Sequence, residues 1–175
     1  MQLEWFERQA RLAVELGKPL FLHERDLDAG KGAPLGSQRD LFEVLERAGV
    51  RPERACVHCF TGSADQLRGY VERGYRVGLT GFVAMSERGA HVRDALRAGI
   101  LPLSSLMLET DAPFMKPDKE HLPEVKVLKH GQCEPCVVPA VCRVVAECLE
   151  LPPEDVARAT TANACEFFGL GGLSE

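Results

Sequence analysis

The fold is decided by the segment from Ala55 to Gly81, which reads ACVHCFTGSADQLRGYVERGYRVGLTG. It opens with a short apolar run that stops at His58, and a second apolar run, Tyr75 to Leu79, closes it. Between the two runs, Ser63 is suited to cap a helix and Gly74 is suited to end one. A strand, a helix and a second strand in this order form a βαβ unit, whose two strands lie parallel in one sheet.

The same alternation continues on both sides of this segment. Further short strands are predicted at Leu20 to Leu22 and at Leu106 to Leu108. Apolar spacing predicts additional helices over Leu3 to Leu16, Leu41 to Ala48, Ala90 to Ala98, Glu134 to Leu149 and Pro153 to Phe168. The pattern predicts one α/β domain over residues 1–175. It leaves open whether the four strands form a small open sheet or the later portion of a (β/α) barrel.

Composition narrows the class of protein. The chain has 175 residues, of which 45% are hydrophobic, enough to bury the core of one domain. Its formal net charge of -5 argues against a broad basic surface for nucleic acid, although a few phosphates can still be gripped locally. No apolar run is long enough to span a membrane, so we expect no membrane partner. Seven cysteines, an odd number, favour free thiols in a reducing compartment, and we predict the cytoplasm.

Three of the four predicted strands end in a side chain that can bind metal: His23, His58 and Asp111. In α/β folds the carboxyl ends of parallel strands meet at one face, so these three residues should converge. A single histidine at a strand end is more often structural, but three ligands in the same topological position favour a metal site. Two imidazole nitrogens and one carboxylate suit Zn²⁺, Mn²⁺ or Mg²⁺.

Two charged neighbours extend this site. Glu109 lies two residues before Asp111, so strand alternation sends both side chains to the same face. Glu109 would orient a metal ligand, or it would form a buried ion pair with a neighbouring strand. Arg25 lies two residues after His23 and would hold a phosphate with its planar fork, or anchor a loop through a salt bridge.

The remaining cysteines, histidines and tryptophan are explained by structure rather than by function. The Cys56/Cys59 and Cys133/Cys136 pairs have zinc-ribbon spacing, but strand alternation sends Cys56 and Cys59 to opposite sides, which disfavours a structural zinc. Trp5 is predicted to pack in the core. His91 is predicted to be solvated on a charged helix, and the region from residue 113 to 131, which includes His121 and His130, is predicted to be an irregular surface excursion.

Several motifs together resemble a known family. In chain order they are HERD (23–26), HCFTGS (58–63), LTGF (79–82) and LETDAP (108–113). They look like successive signatures of the TatD family of metal-dependent deoxyribonucleases. Cys133-Glu134-Pro135 resembles the Asn-Glu-Pro element of that family, with cysteine in the asparagine position, and Thr161 to Gly169 resembles its closing helix. The resemblance runs from about Phe6 to Leu170.

The resemblance implies a partial TIM-type (β/α) barrel that lacks its first strands. It implies that His23, His58 and Asp111 bind a divalent metal, Mg²⁺ first, with Mn²⁺ or Zn²⁺ as alternatives. Asp111 would also act as the catalytic residue, Arg25 would bind substrate, and Glu109 and Glu134 would hold the ligands in place. The implied reaction is hydrolysis of DNA phosphodiester bonds by a 3′ exonuclease.

Two alternatives remain open at this stage. Some TatD relatives look like deacylases, so the substrate would instead be an ester such as misacylated tRNA. The chain also starts after the family's strand that carries a glutamate ligand, so an inactive remnant with a binding role is a further interpretation. An open barrel edge would expose unpaired backbone groups, and we therefore expect self-association through that edge.

Overall fold

In a computed structural model, the protein is described over residues 1–26, 35–122 and 132–171. The predicted loop between Asp26 and Ser37 and the predicted excursion from 113 to 131, including His130, fall partly outside these ranges. The helices are α1 (Gln2–Glu15), α2 (Ser37–Arg47), α3 (Ala64–Arg73), α4 (Ala90–Arg97), α5 (Val138–Leu149) and α6 (Pro153–Phe168), and the strands are β1 (Leu20–Leu22), β2 (Ala55–Val57), β3 (Arg76–Leu79) and β4 (Leu106–Leu108). No helix among the described residues is long and apolar enough to cross a membrane.

The four strands form one parallel sheet in the order β1-β2-β3-β4. Leu22 pairs with Val57 and Val57 pairs with Val77, and β3 and β4 run two residues further to the Leu79–Leu108 pair. Each strand is followed by a helical segment that returns along the outside of the sheet, which is the connection expected for parallel neighbours. The predicted strands and their alternation with helices are therefore confirmed.

The main core lies between the outer face of the sheet and the helices. It combines buried strand residues such as Leu22, Val57 and Leu79 with residues of α1 to α6, from Ala10 to Val156. Helix α3 begins at a complete capping box, in which Ser63 Oγ accepts the Gln66 amide and Gln66 Oε1 accepts the Ser63 amide. The Ser63 cap predicted from the sequence is confirmed.

The C-terminal part of α6 packs on the opposite, inner face of the sheet. Phe167 is buried against Cys56 and Met107, whose side chains alternate away from the main core. Asn163 donates hydrogen bonds to the carbonyls of Leu103 and Leu106, both at 2.8 Å, and so fixes α6 beside β4. Within the described residues the sheet therefore stays open, and α6 covers part of the face that a closed barrel would enclose.

Two sequence-based expectations about local structure need correction. Trp5 is 54% exposed on α1 and does not pack in the core, because Ala10 supplies the buried side of that helix. The helix predicted from Glu134 starts later: residues Pro135–Val137 form a 3₁₀ turn, and the α-helix begins at Val138. Pro135 explains the late start, since proline suits the first turn but its ring restricts the preceding residue to an extended conformation.

Candidate active site

Two histidines meet where β1 and β2 end. Because Leu22 and Val57 are paired neighbours, the residues that follow them, His23 and His58, lie side by side. His23 Nδ1 and His58 Nε2 are 3.0 Å apart, and the ring centroids are 5.2 Å apart. The structure therefore brings these two imidazoles together, as the strand-end pattern predicted.

Glu109 supports this pair from below. Its Oε1 accepts the Cys59 amide at 2.7 Å, and its Oε2 lies 3.5 Å from His58 Nδ1. Burial raises the pKa of the Glu109 carboxyl, and the charge of Asp111 adds to this effect. A Cβ on Gly78 would overlap Glu109 Oε1, so glycine at position 78 leaves room for the carboxylate in this position. Glu109 thus lies beside His58, and its predicted role in orienting a ligand stays a prediction.

Asp111 lies at the same end of the sheet in an unusual backbone conformation. Its φ of 52° is in the left-handed region, which a residue with a Cβ adopts at a cost in strain, and Cys59 shares this feature with a φ of 49°. The Asp111 carbonyl accepts the Phe114 amide at 2.8 Å, which fixes the turn after β4. Burial raises the pKa of the Cys59 thiol to about 12, and the nearby Asp111 charge contributes.

The residues present fit a divalent metal in part. Two ligands at a right angle around a metal with bonds of about 2.1 Å lie about 3.0 Å apart. The spacing of the His23 and His58 nitrogens has this value. Across residues 1–26, 35–122 and 132–171, no three His, Cys, Asp or Glu side chains form a ready metal-binding group. The structure thus brings the two histidines together but does not bring Asp111 into one group with them.

Arg25 and Glu134 occupy different surroundings. Arg25 is exposed and lines a groove beside the histidine pair. Glu134 is half-buried at the start of the turn that leads into α5, and its carbonyl accepts the Val137 amide at 3.1 Å. Its neighbour Cys133 donates its amide to the Pro113 carbonyl at 3.0 Å, which ties this turn to the segment after Asp111. The role predicted for Glu134 stays a prediction.

A groove of about 830 Å³ lies between the loops that leave β1 and β2 and the first turns of the helices that follow them. We call it the α2–α3 groove, and its polar lining includes Arg25, Gln38, Arg39, Thr61, Gln66 and His91. The sequence analysis missed it, because Gln38, Arg39 and Gln66 belong to amphipathic helices whose polar residues look like ordinary surface. The predicted topology could have indicated the groove, because the first turns of helices that follow parallel strands surround the ends of those strands.

The α2–α3 groove has a polar floor. Gln38 Nε2 donates to the Gln66 carbonyl at 2.7 Å. Tyr70 is fully buried, its hydroxyl lies near Glu24 and Gln38, and burial raises its pKa. That hydroxyl makes no hydrogen bond with any residue that the structure describes. Buried hydroxyls normally have a partner, so the core behind the groove has unused hydrogen-bonding capacity at Tyr70.

Comparison with known proteins gives a consistent result. The family model described as "TatD related DNase" matches residues 1–169. A protein named "3'-5' ssDNA/RNA exonuclease TatD" from Citrobacter rodentium is 33% identical over 165 residues, which cover 94% of this chain and 57% of the relative. A protein named "Uncharacterized metal-dependent hydrolase TatD" from Mycobacterium tuberculosis is 32% identical over 175 residues, which cover all of this chain and 58% of the relative. The chain thus spans 57–58% of the length of these two relatives.

Solved structures show the same likeness. The TatD homologue YjjV from Escherichia coli superposes with a TM-score of 0.72 at 29% identity, over 95% of this chain and 56% of that one. A hydrolase of the TatD family from Entamoeba histolytica has a TM-score of 0.75 at 17% identity, over 95% and 56% of the two chains. The second similarity concerns the fold alone. Together they confirm the predicted α/β fold, a partial TIM-type barrel.

Proposed function

The chain belongs to the TatD-related DNase family, and from this membership we propose that it is a metal-dependent hydrolase of nucleic-acid phosphodiester bonds. We propose single-stranded DNA as the substrate and removal of nucleotides from the 3′ end as the reaction. The observation that carries the proposal is the 3.0 Å approach of His23 and His58 at neighbouring strand ends. Relatives named as exonucleases and as a metal-dependent hydrolase support it.

The proposed metal ligands are His23, His58 and Asp111. A divalent ion held there, Mg²⁺ first and otherwise Mn²⁺ or Zn²⁺, would offset charge on the phosphoryl oxygens and lower the pKa of water. Asp111 follows β4 at the same end of the sheet as the two histidines, and on that placement it is proposed as the third ligand. The carboxylate of Asp111 would also accept the proton of the attacking water, as a base within hydrogen-bond reach does.

The neighbouring residues have supporting roles in this proposal. Glu109 fixes the orientation of His58 through its Oε2 and is itself fixed by the Cys59 amide. Arg25 is proposed to hold a substrate phosphate, since a guanidinium can donate two parallel hydrogen bonds to it. Glu134 is proposed to steady the segment after Asp111 from the turn before α5.

Three broader features complete the proposal. Residues 1–175 are proposed to work as one domain, supported by a core that takes in residues from α1 to α6. All seven cysteines are free, which supports a reducing compartment such as the cytoplasm. Self-association is proposed along the β1 flank, where β1 has a strand neighbour on one side only among the described residues.

A nuclease assay tests the function. An end-labelled single-stranded DNA is incubated with the protein and Mg²⁺, Mn²⁺, Zn²⁺ or a chelator, and the products are separated by length. We expect metal-dependent shortening from the 3′ end, and a loss of about 100-fold or more in His23→Ala, His58→Ala and Asp111→Asn. His121→Ala is the control, because His121 lies outside the site beside Glu120.

Three results would overturn this function. Cleavage that survives the chelator or all three substitutions would exclude the proposed centre. Release of an amino acid from misacylated tRNA without DNA cleavage would assign the same residues to ester hydrolysis. Absence of both activities, with metal binding retained, would leave the chain as a binding protein.

A further inference from the structure

The lining of the α2–α3 groove includes Glu24 and Val57, which adjoin His23 and His58 in the chain. Glu24 and Arg25, the two residues after His23, form its near wall, and the first turns of α2 and α3 form its far wall. At about 830 Å³ it is within the size range of sites that bury small ligands. An enzyme that removes nucleotides from one end of a polymer must also hold the rest of the strand. The groove lies where that remainder would leave the site.

The acidic groups of the groove are already engaged. Asp26 accepts backbone amides from three successive residues at the start of α2: Leu35 at 2.7 Å, Gly36 at 2.8 Å and Ser37 at 3.2 Å. The positive end of the α2 dipole therefore balances this carboxylate. Glu24 accepts the Ser37 hydroxyl. These donors offset part of the charge of both carboxylates and so weaken their repulsion of an approaching phosphate.

The cationic groups lie on the rim. The Arg39 side chain is 71% exposed, and its guanidinium pairs with Asp40 at 3.0 Å. Exposed ion pairs of this kind contribute little to stability and readily exchange partners. Arg39 can therefore leave Asp40 and contact a phosphate at a small cost in free energy. Arg25 lies on the same groove nearer to His23. Two guanidinium groups along one groove provide an electrostatic track for a nucleic-acid backbone.

His91 adds a flat ring to this track. It is exposed at the start of α4, and its Nε2 lies 3.1 Å from the Thr61 carbonyl, which fixes the ring at the groove wall. Aromatic and imidazole rings in such positions stack on unpaired bases. A cationic track and a stacking ring are the two components of sequence-tolerant binding to single strands.

We propose that the α2–α3 groove holds the body of a single-stranded nucleic acid, on the 5′ side of the cut bond, while the 3′ end reaches the His23–His58 pair. This inference rests on the proposed nuclease function. Arg39 contacts a backbone phosphate, and His91 stacks on a base.

The test measures binding without metal. A fluorescent single-stranded oligonucleotide is titrated with wild-type protein, Arg39→Gln, His91→Ala and Arg51→Gln in the presence of a chelator, and anisotropy is followed at several salt concentrations. Arg51 is the matched control, since its side chain is 72% exposed, it pairs with Glu53 at 3.0 Å, and it lies outside the groove. Arg39→Gln is expected to lower the salt dependence, d log K/d log[salt], by about 0.7 in magnitude, the value for one phosphate contact on a single strand.

His91→Ala is expected to weaken binding about 5-fold or more without changing the salt dependence, because stacking releases no counterions. Equal salt dependence for Arg39→Gln and Arg51→Gln, or unchanged affinity in His91→Ala, would overturn the inference. Hydrolysis of a chromogenic phosphodiester by the wild-type chain, with Mg²⁺ or with chelator, tests the reaction separately. If the wild-type chain does not hydrolyse this substrate but the groove variants still alter binding as expected, the result supports the groove as a binding site and rejects the nuclease function.

Discussion

Glu109, just after β4, contacts both a backbone amide and a side chain at the end of β2. One oxygen is fixed by the Cys59 amide, so the other is held facing His58 Nδ1. An imidazole with a carboxylate at one nitrogen presents the other nitrogen in a defined tautomer and direction. We therefore expect the orientation of His58 toward His23 to depend on Glu109, which is not one of the proposed metal ligands.

Glu109→Gln tests this dependence at the scale of one residue. The amide keeps the size of the side chain but removes the charge that favours a protonated His58 Nδ1. We expect affinity for Mn²⁺ or Mg²⁺ to fall about 10-fold to 100-fold, as it does when outer partners of ligating histidines are removed. Titration calorimetry measures the affinity, with Glu120→Gln as an exposed control. Wild-type affinity in Glu109→Gln would show that His58 needs no such partner.

Single residues also show where sequence reasoning succeeds and where it stops. His23 and His58 were predictable, because parallel register alone places the residues after two paired strands side by side. The left-handed conformations of Cys59 and Asp111 were not predictable, because neither residue is a glycine and no local sequence pattern indicates a turn there. The groove was missed because its walls come from segments far apart in sequence, such as Arg39 and His91.

At the scale of elements, the segments after β3 and β4 are joined to each other. Asp118 donates its amide to the Ala84 carbonyl at 3.1 Å and accepts the Ser86 amide through Oδ2 at 2.6 Å. A Cβ on Gly81 would lie 1.9 Å from the Met115 carbonyl, so the two segments also touch directly. Because Asp111 begins the second segment, this junction helps to fix the direction in which the β4 end points.

The hydrogen bond from the Ser86 amide holds the pKa of Asp118 below its ordinary value. A lowered pKa means that the folded state favours the charged form. The resulting stabilisation is present above the ordinary pKa of aspartate and is lost as the pH falls through the lower, folded value.

We therefore expect Asp118→Asn to lower the free energy of unfolding at neutral pH by about 0.5–1 kcal/mol, a value reduced by solvent screening. The gap to wild type should close as the solution becomes acidic. Urea unfolding at a series of pH values measures the free energy of unfolding of both proteins. Asp94→Asn, in an exposed pair with Arg97, serves as the control. A gap that stays constant into the acid range would contradict the assignment to this carboxylate.

The elements themselves were largely predictable. The β-strands and α6 were located within a residue or so, because short apolar runs bounded by glycine and proline leave few alternatives. The placement of α6 on the inner face was not predictable. It depends on Phe167 fitting against Cys56 and Met107 and on Asn163 finding two carbonyls, and none of these contacts is local in sequence.

At the scale of the whole molecule, the flank formed by α1 and β1 is apolar and exposed. Trp5, Leu12 and Leu16 fall on one side of α1 by helical spacing and are 52–59% exposed. On the inner side of the same flank, Phe21 of β1 is 48% exposed beside Phe168, with ring centroids 6.1 Å apart. An apolar helix stripe next to a strand edge favours association.

Leu12→Glu tests whether this flank associates. We expect the wild-type chain to sediment as a concentration-dependent dimer, and Leu12→Glu to shift it toward monomer by placing a charge in the apolar contact. Leu3→Glu is the matched control, because Leu3 is 45% exposed but lies on another side of α1. Sedimentation velocity measures both variants. A wild-type chain that stays monomeric at every concentration would contradict the proposed self-association.

The position of Trp5 has a practical consequence. It is the single tryptophan of the chain, it lies on this flank, and its ring carries the Arg8 guanidinium at 4.8 Å from the centroid. Indole emission shifts to shorter wavelength when water leaves the ring. The intrinsic fluorescence of the unmodified protein therefore reports whether another molecule covers Trp5 on this flank. Following its wavelength during dilution would reveal assembly without any label.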